Sequence, residues 1–233
     1  MAGSILGNAV RRVEDPRILR GEARYLDDVE VVGALQAVFV RSTVAHARIT
    51  GIDTSEAKAM PGVVDVFTEA DLGMEPTGAM AMVPAAFARP LLARDTVRHV
   101  GEPVAVILAE TRAQGVDAAE MVFIDYDFLP AVTDAVLALE PDAPVLFPEN
   151  GTNLVSRMEF GADEQIFDDA DVVVSGSFFN QRLAAVPLEV NGMVAVPAPD
   201  TGGLTCWCST QGPFANRSAL SKALGLKKEQ VRV

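Results

Sequence analysis

The chain has 233 residues, of which 49% are apolar, enough for one large domain or two modest ones. Its 19 basic and 32 acidic residues leave a net charge of −13, which repels nucleic-acid phosphates and argues against a nucleic-acid partner. No apolar run reaches bilayer length, and Met1–Leu6 lacks the charged and apolar regions of a signal peptide, so no membrane span and a cytoplasmic location are expected. Two cysteines, Cys206 and Cys208, are too few for a disulfide framework.

Residues 1–17 carry closely spaced charges (Arg11, Arg12, Glu14, Asp15, Arg17) and read as a surface arm, a subunit contact or a solvated terminus. Residues 34–42 are apolar almost without a break, which predicts a strand buried on both faces. Thr54-Ser55-Glu56 predicts a side-chain-capped short helix, stopped at Met60-Pro61-Gly62, with a strand over Val63–Thr68. Residues 73–89 read as a long loop. Val104–Leu108 predicts a strand. Thr111 then caps a helix with Ala113, Val116, Ala119 and Val122 on one face, and Phe123–Tyr126 predicts another strand. That order predicts a crossover unit over 104–126.

Residues 133–151 contain three prolines and several acids and read as a linker. Beyond them, Leu154–Phe160, Asp171–Gln181, Gly192–Ala198 and Leu204–Ser209 read as strands. Gln211-Gly212-Pro213 opens a helix with Pro near its first turn, Leu220, Ala223 and Leu224 share one face, and Gly225 suits the C-terminal cap.

Familiar catalytic devices are missing. There is no phosphate-cradling glycine loop followed by Lys and Ser or Thr, and no G-x-S-x-G elbow. His46 and His99 are far apart, and a lone histidine is more often structural than a ligand. Cys206 and Cys208 fall on the same face of a strand, but a closed zinc site needs four ligands, so two small structural cysteines are the plainer reading. Asp125 with Asp127, and Asp168, Asp169 and Asp171, read as exposed acids at element ends. Gln211 offers a neutral amide at a strand-to-helix junction, where backbone N–H groups face oxyanions.

Several stretches, in order, resemble the xanthine oxidase family of molybdenum hydroxylases, which includes aldehyde oxidases, xanthine dehydrogenases and aerobic carbon monoxide dehydrogenases. They are Arg12–Gly21 with Tyr25-Leu26-Asp27-Asp28; Phe39–Ser42, Ala45–Ile49, Ile52–Ser55 and Pro61–Val64; Arg89–Leu92, Val100–Val106, Asp125-Tyr126 and Leu129–Val132; Arg182 with Pro187-Leu188-Glu189; and Leu204–Trp207 leading into Ser209-Thr210-Gln211, Pro213, Arg217, Leu220 and Leu224-Gly225. The resemblance implies an α+β chain: an arm over 1–17, an α/β hammerhead domain over 18–132, a linker over 133–151 and the start of a molybdopterin-binding domain, cut short, over 152–233.

It further implies that Gln211 hydrogen-bonds an oxygen of a molybdenum–molybdopterin group, and that Glu189 either belongs to the same cofactor-binding set or braces the domain without touching the cofactor. Iron–sulfur clusters and FAD would sit on partner subunits of a hetero-oligomer. The implied activity is hydroxylation of aldehydes, N-heterocycles or related small molecules with water as the oxygen source. The base and most pterin contacts would come from sequence beyond Val233, leaving this chain inactive alone. A chain of another class, a non-catalytic assembly or remnant module that docks iron–sulfur and flavin subunits, is the alternative. Val190 and Asn191 replace the family's usual Pro and Arg, and Phe214 stands where a histidine is common.

Overall fold

The computed structural model describes residues 6–7, 9–74, 76, 83–158, 160 and 164–233. The helices are α1 (Asp15–Leu19), α2 (Ser55–Lys58), α3 (Glu69–Leu72), α4 (Arg112–Ala119) and α5 (Pro213–Ala223). The strands are β1 (Gln36–Arg41), β2 (Ala47–Asp53), β3 (Val63–Thr68), β4 (Thr96–Val97), β5 (Pro103–Ala109), β6 (Phe123–Phe128), β7 (Met193–Ala198), β8 (Gly203–Cys208) and β9 (Val231–Arg232). These elements fall into two compact units, one over Gly33–Phe178 and one combining Met1–Val32 with Phe179–Val233.

The Gly33–Phe178 unit holds two antiparallel three-stranded sheets, ordered β1-β5-β3 and β4-β2-β6. β5 is central in the first sheet because its apolar run serves two cores. Ala105, Ile107 and Ala109 pack with Val40, Val66, Ala57, Ala118 and Val122, whereas Val104 packs with Ala47, Ala93 and Val97. Successive side chains of a strand point to opposite faces, so one unbroken run of Val, Ala and Ile can feed both. Each fully buried Val or Ile here contributes on the order of 1.5–3 kcal/mol.

Several expectations are corrected in this unit. The strand–helix–strand stretch over 104–126 is not a crossover: β5 and β6 lie in different sheets, and both pair antiparallel. β1 is an edge strand, with Val40 buried and Phe39 nearly half exposed, so its apolar run is not covered on both faces. Thr111 does cap α4, its hydroxyl accepting from Gln114 N at 3.3 Å. The buried face, however, is Gly115, Ala118 and Val122, while Val116 is exposed. A Cβ on Gly115 would lie 2.7 Å from Val38 Cγ2, so the helix reaches the sheet through its smallest residue, not its largest. At α2 the Thr54 side chain makes no cap; the Asp53 carboxylate accepts from Ser55 N and Ser55 Oγ instead. Part of the 73–89 loop, residues 75 and 77–82, lies outside the described residues.

Among the described residues of this unit the buried Tyr126 hydroxyl has no hydrogen-bond partner, whereas His46 and Glu69 are paired. His46 bonds the Pro130 carbonyl through Nδ1 at 2.7 Å, the structural role expected of a lone histidine. Glu69, almost wholly buried, takes the Arg94 guanidinium on both carboxylate oxygens, which holds it below the usual glutamate range. Residues 133–153 are tied down: Arg98 Nε donates to Leu146 O at 3.0 Å and its guanidinium lies over the Phe147 ring, while Asn153 bonds Ala138 O, Pro144 O and Leu146 N. Among the described residues of 154–160 and throughout 171–181 there is no strand. Apolar alternation predicts a strand only where the backbone groups find a ladder partner, and here none is present.

In the second unit, β7 pairs antiparallel with β8, and β9 pairs parallel with β8 through Leu204↔Val231 and Thr205↔Arg232. A parallel pair requires a crossover, and α5 supplies it, with Cys206, Ser221 and Val231 buried. Pro213 occupies the first helical position, and Gly225, at φ +64°, ends the helix in the left-handed region while Leu226 N bonds Ser221 O. Among the described residues the crossover unit is therefore β8–α5–β9. No helix among the described residues is long and apolar enough to cross a membrane.

Candidate functional site

β8 ends at Cys208 and α5 begins at Pro213, so Ser209-Thr210-Gln211-Gly212 is the turn at the carboxyl end of a strand that pairs in parallel. Ligands of open α/β sheets bind outside the carboxyl ends of parallel strands, where backbone N–H groups of the following helix are unpaired. Here Pro213 brings no N–H, and the first turn of α5 has no side-chain cap. Gln211 is exposed on this turn.

The turn is built by short hydroxyl bonds. Thr210 Oγ1 accepts from Gly212 N at 3.0 Å, and Gly212 O accepts from Asn216 N at 3.0 Å to start the helix. Ser209 does more. Its N donates to Gly192 O at 3.3 Å, its Oγ accepts from Gly192 N at 3.1 Å, and the same Oγ donates to Val190 O at 3.0 Å. Glu189 precedes Val190, and its carboxylate accepts from Leu26 N at 2.9 Å. The two residues expected at the cofactor thus lie on segments that Ser209 ties together. Glu189 already has a backbone partner, and both side chains are exposed. Sequence reasoning missed Ser209 and Leu26: a serine beside the glutamine and a leucine in a charged turn carry no chemical signal alone.

Among the described residues no group of three or more His, Cys, Asp and Glu is placed to hold a metal ion. Cys206 is buried and Cys208 half-buried, the latter accepting from Asn216 Nδ2 at 3.7 Å. Burial, and secondarily the neighbouring Cys208, push the Cys206 thiol above the ordinary cysteine range. The Asp125 and Asp127 pair is surface chemistry: Asp127 meets Arg48 at 3.0 Å, with both side chains more than half exposed. A surface depression of about 410 Å³ is lined by Ala131, Thr133, Asp134, Leu137, Glu140 and Pro144 among others, and does not include Gln211.

Two family models match the chain in tandem. Residues 20–130 match the aldehyde oxidase and xanthine dehydrogenase a/b hammerhead domain, and residues 146–233 match the molybdopterin cofactor-binding domain. The chain thus carries, in order, a hammerhead domain of the aldehyde oxidase and xanthine dehydrogenase type and a molybdopterin cofactor-binding segment. It is 40% identical to the nicotine 6-hydroxylase large subunit of Paenarthrobacter nicotinovorans, over 99% of this chain and 29% of that one. It is 37% identical to the carbon monoxide dehydrogenase large chain of Afipia carboxidovorans, over 98% and 30%. The solved structure of quinoline 2-oxidoreductase from Pseudomonas putida 86 superposes with a TM-score of 0.86 at 36% identity, over 95% of this chain and 29% of that one. The chain thus spans about three-tenths of the length of these family members. The expected fold, a hammerhead domain followed by the start of a molybdopterin-binding domain, is shown by these matches.

Proposed function

We propose that this chain is the N-terminal part of the molybdenum-cofactor-binding subunit of a cytoplasmic oxidoreductase that hydroxylates aldehydes, N-heterocycles or related small molecules with water as the oxygen source. The observation that carries the reading is the position of Gln211. It stands on an exposed turn at the carboxyl end of β8, ahead of an uncapped helix N-terminus, within the segment matched by the molybdopterin-binding model.

The donor set fits such a group. Residues 209–216 (Ser-Thr-Gln-Gly-Pro-Phe-Ala-Asn) contain no charged side chain, so the turn presents neutral donors and helix-dipole N–H groups to an anionic, oxygen-rich ligand. Gln211 would donate its amide N–H to an oxygen of the molybdenum–molybdopterin group and hold that oxygen's direction without adding charge. The first-turn N–H groups of Phe214 and Ala215 would add fixed positive polarity on the same side. When bound, the group supplies oxygen transfer to substrate and accepts the electrons. Iron–sulfur and FAD subunits are the partners this reading requires for electron exit. The boundaries that go with it are an arm over 1–17, the hammerhead domain over 18–132, a connecting segment over 133–151 and the cofactor domain from 152. The exposed Val172, Val174, Phe178, Phe179, Leu183 and Leu188 support contact with further polypeptide, because that much apolar surface is rarely left in water.

Molybdenum, iron and flavin measured in the complex purified on this chain from its source test the reading. Stoichiometric metal is expected, with Gln211→Ala lowering turnover and molybdenum retention while leaving the melting temperature unchanged. A complex that never contains molybdenum would overturn it, as would a Gln211→Ala complex that keeps its molybdenum and its turnover.

A further inference from the structure

Three stretches far apart in sequence meet in the second unit, and the function proposed for Gln211 uses only one of them. The first is the turn Tyr25–Asp28, closed by Asp28 N to Tyr25 O at 3.0 Å and by the Asp28 carboxylate accepting from Tyr25 N at 2.8 Å. The second is Glu189–Gly192. The third is the Ser209–Gly212 turn. Glu189 joins the first to the second by accepting from Leu26 N across 163 positions of sequence. Ser209 joins the second to the third through its three bonds to Val190 and Gly192. Packing follows the same line: a Cβ on Gly192 would lie 2.5 Å from Leu26 Cδ2, so this glycine lets the Leu26 side chain close on the strand entry.

We propose that Glu189 is a positioning residue: its carboxylate anchors the 189–192 segment to the Tyr25–Asp28 turn, Ser209 carries that anchor into the next turn, and the brace fixes the direction in which Gln211 points. This rests on reading Gln211 as the residue that meets the cofactor. The physics favours a carboxylate here because a charged acceptor binds a backbone N–H more strongly than a neutral one, and Leu26 N, at the first position of a 3₁₀ turn, has no partner within that turn. Ser209 suits the other joint because one hydroxyl donates and accepts at once. Residues 190–192 therefore cannot shift without moving either Leu26 or the Gln211 turn.

Amide hydrogen exchange read by mass spectrometry on the cofactor-free chain tests this. Glu189→Leu should speed exchange about tenfold both in residues 25–28 and in residues 209–212, because the lost bond opens both turns. Glu189→Gln, whose amide oxygen still accepts from Leu26 N, should leave both segments within about twofold of the parent. Should Glu189→Leu fail to fold by circular dichroism, Leu26→Pro removes the same donor. Tyr25, at φ −101° and ψ 175°, already has the backbone a following proline demands, and the same pair of changes is expected. Faster exchange confined to residues 25–28 would overturn the proposal, since the brace would then stop short of Gln211. Unchanged exchange in both segments, with molybdenum lost from the purified complex, would overturn it by making Glu189 a direct contact. Because the readout needs no cofactor, it stands apart from the fate of the Gln211 reading.

Discussion

Gly203→Ala should loosen the frame beneath the Gln211 turn, and the structure sets the size of the effect. A Cβ on Gly203 would lie 1.8 Å from the Gln230 carbonyl oxygen and 2.6 Å from its carbonyl carbon. Both are backbone atoms, so no side chain can swing away, and β8 or the chain before β9 must move. The movement strains both parallel pairs of the crossover, Leu204↔Val231 and Thr205↔Arg232, and the bond from Gln230 Nε2 to Thr201 O at 3.0 Å. Overpacking against a rigid partner costs roughly 1–3 kcal/mol. Trp207 is the sole tryptophan and lies on β8 itself, so its fluorescence reports this unit. With a denaturation slope of about 1–2 kcal/mol/M for a unit of this size, the urea midpoint should fall by roughly 0.5–3 M. Gly51→Ala is the control: its added Cβ would meet the Asp125 carboxylate tip at 3.3 Å, a movable atom in the other unit, and should leave the Trp207 midpoint unchanged. A Gly203→Ala midpoint within about 0.2 M of the parent would refute the close approach of β8 to residue 230.

Two further outcomes follow from burial. In the native chain iodoacetamide should modify Cys208 well before Cys206, which is 2% exposed and has its thiol pushed up by burial; mass spectrometry giving equal rates under native conditions would contradict this. The Glu69–Arg94 pair depresses the folded-state titration of Glu69, so its stabilisation is present above the ordinary glutamate range and fades as pH falls through the depressed value. The stability gap between the parent and Glu69→Gln, followed by circular dichroism in urea, should therefore be widest near neutral pH and shrink below about pH 4, and a gap constant with pH would remove the assigned cause.

How far the fold was legible depended on how local its causes were. β3 and β5 were placed from apolar runs bounded by Gly and Pro, and Thr111 announced α4 because an N-cap acts within three residues. The pairing of strands was not local. Val104–Leu108 reads equally well as a parallel or an antiparallel strand, since continuous burial records how many faces are covered and not which neighbour covers them. The Gly115 contact was invisible for a related reason: apolar periodicity weights large side chains, and close approach of a helix selects the smallest. Residues 171–181 carried strand composition without a ladder, because composition speaks for a side chain's environment and pairing is a property of two segments.

The same distinction orders the candidate site. Gln211 is singled out by the resemblance of the motif around it; the local signs, a strand before it and Pro213 opening the helix, are weak by themselves. The bonds that support it leave no such sign. Glu189 looked like a neighbour of the chemistry and is, in the structure, a carboxylate bonded to the backbone of Leu26, a link no spacing rule spans. Hydroxyl and carboxylate bonds to distant backbone are short, directional and independent of what lies between their ends in the chain, so they leave no period in the sequence. If the exchange behaviour of residues 25–28 and 209–212 moves together when Glu189 is changed, the precision of the Gln211 turn is set by contacts from the front of the chain. Tyr25-Leu26-Asp27-Asp28 would then be needed beside the cofactor turn for geometry, and not for any chemistry of its own.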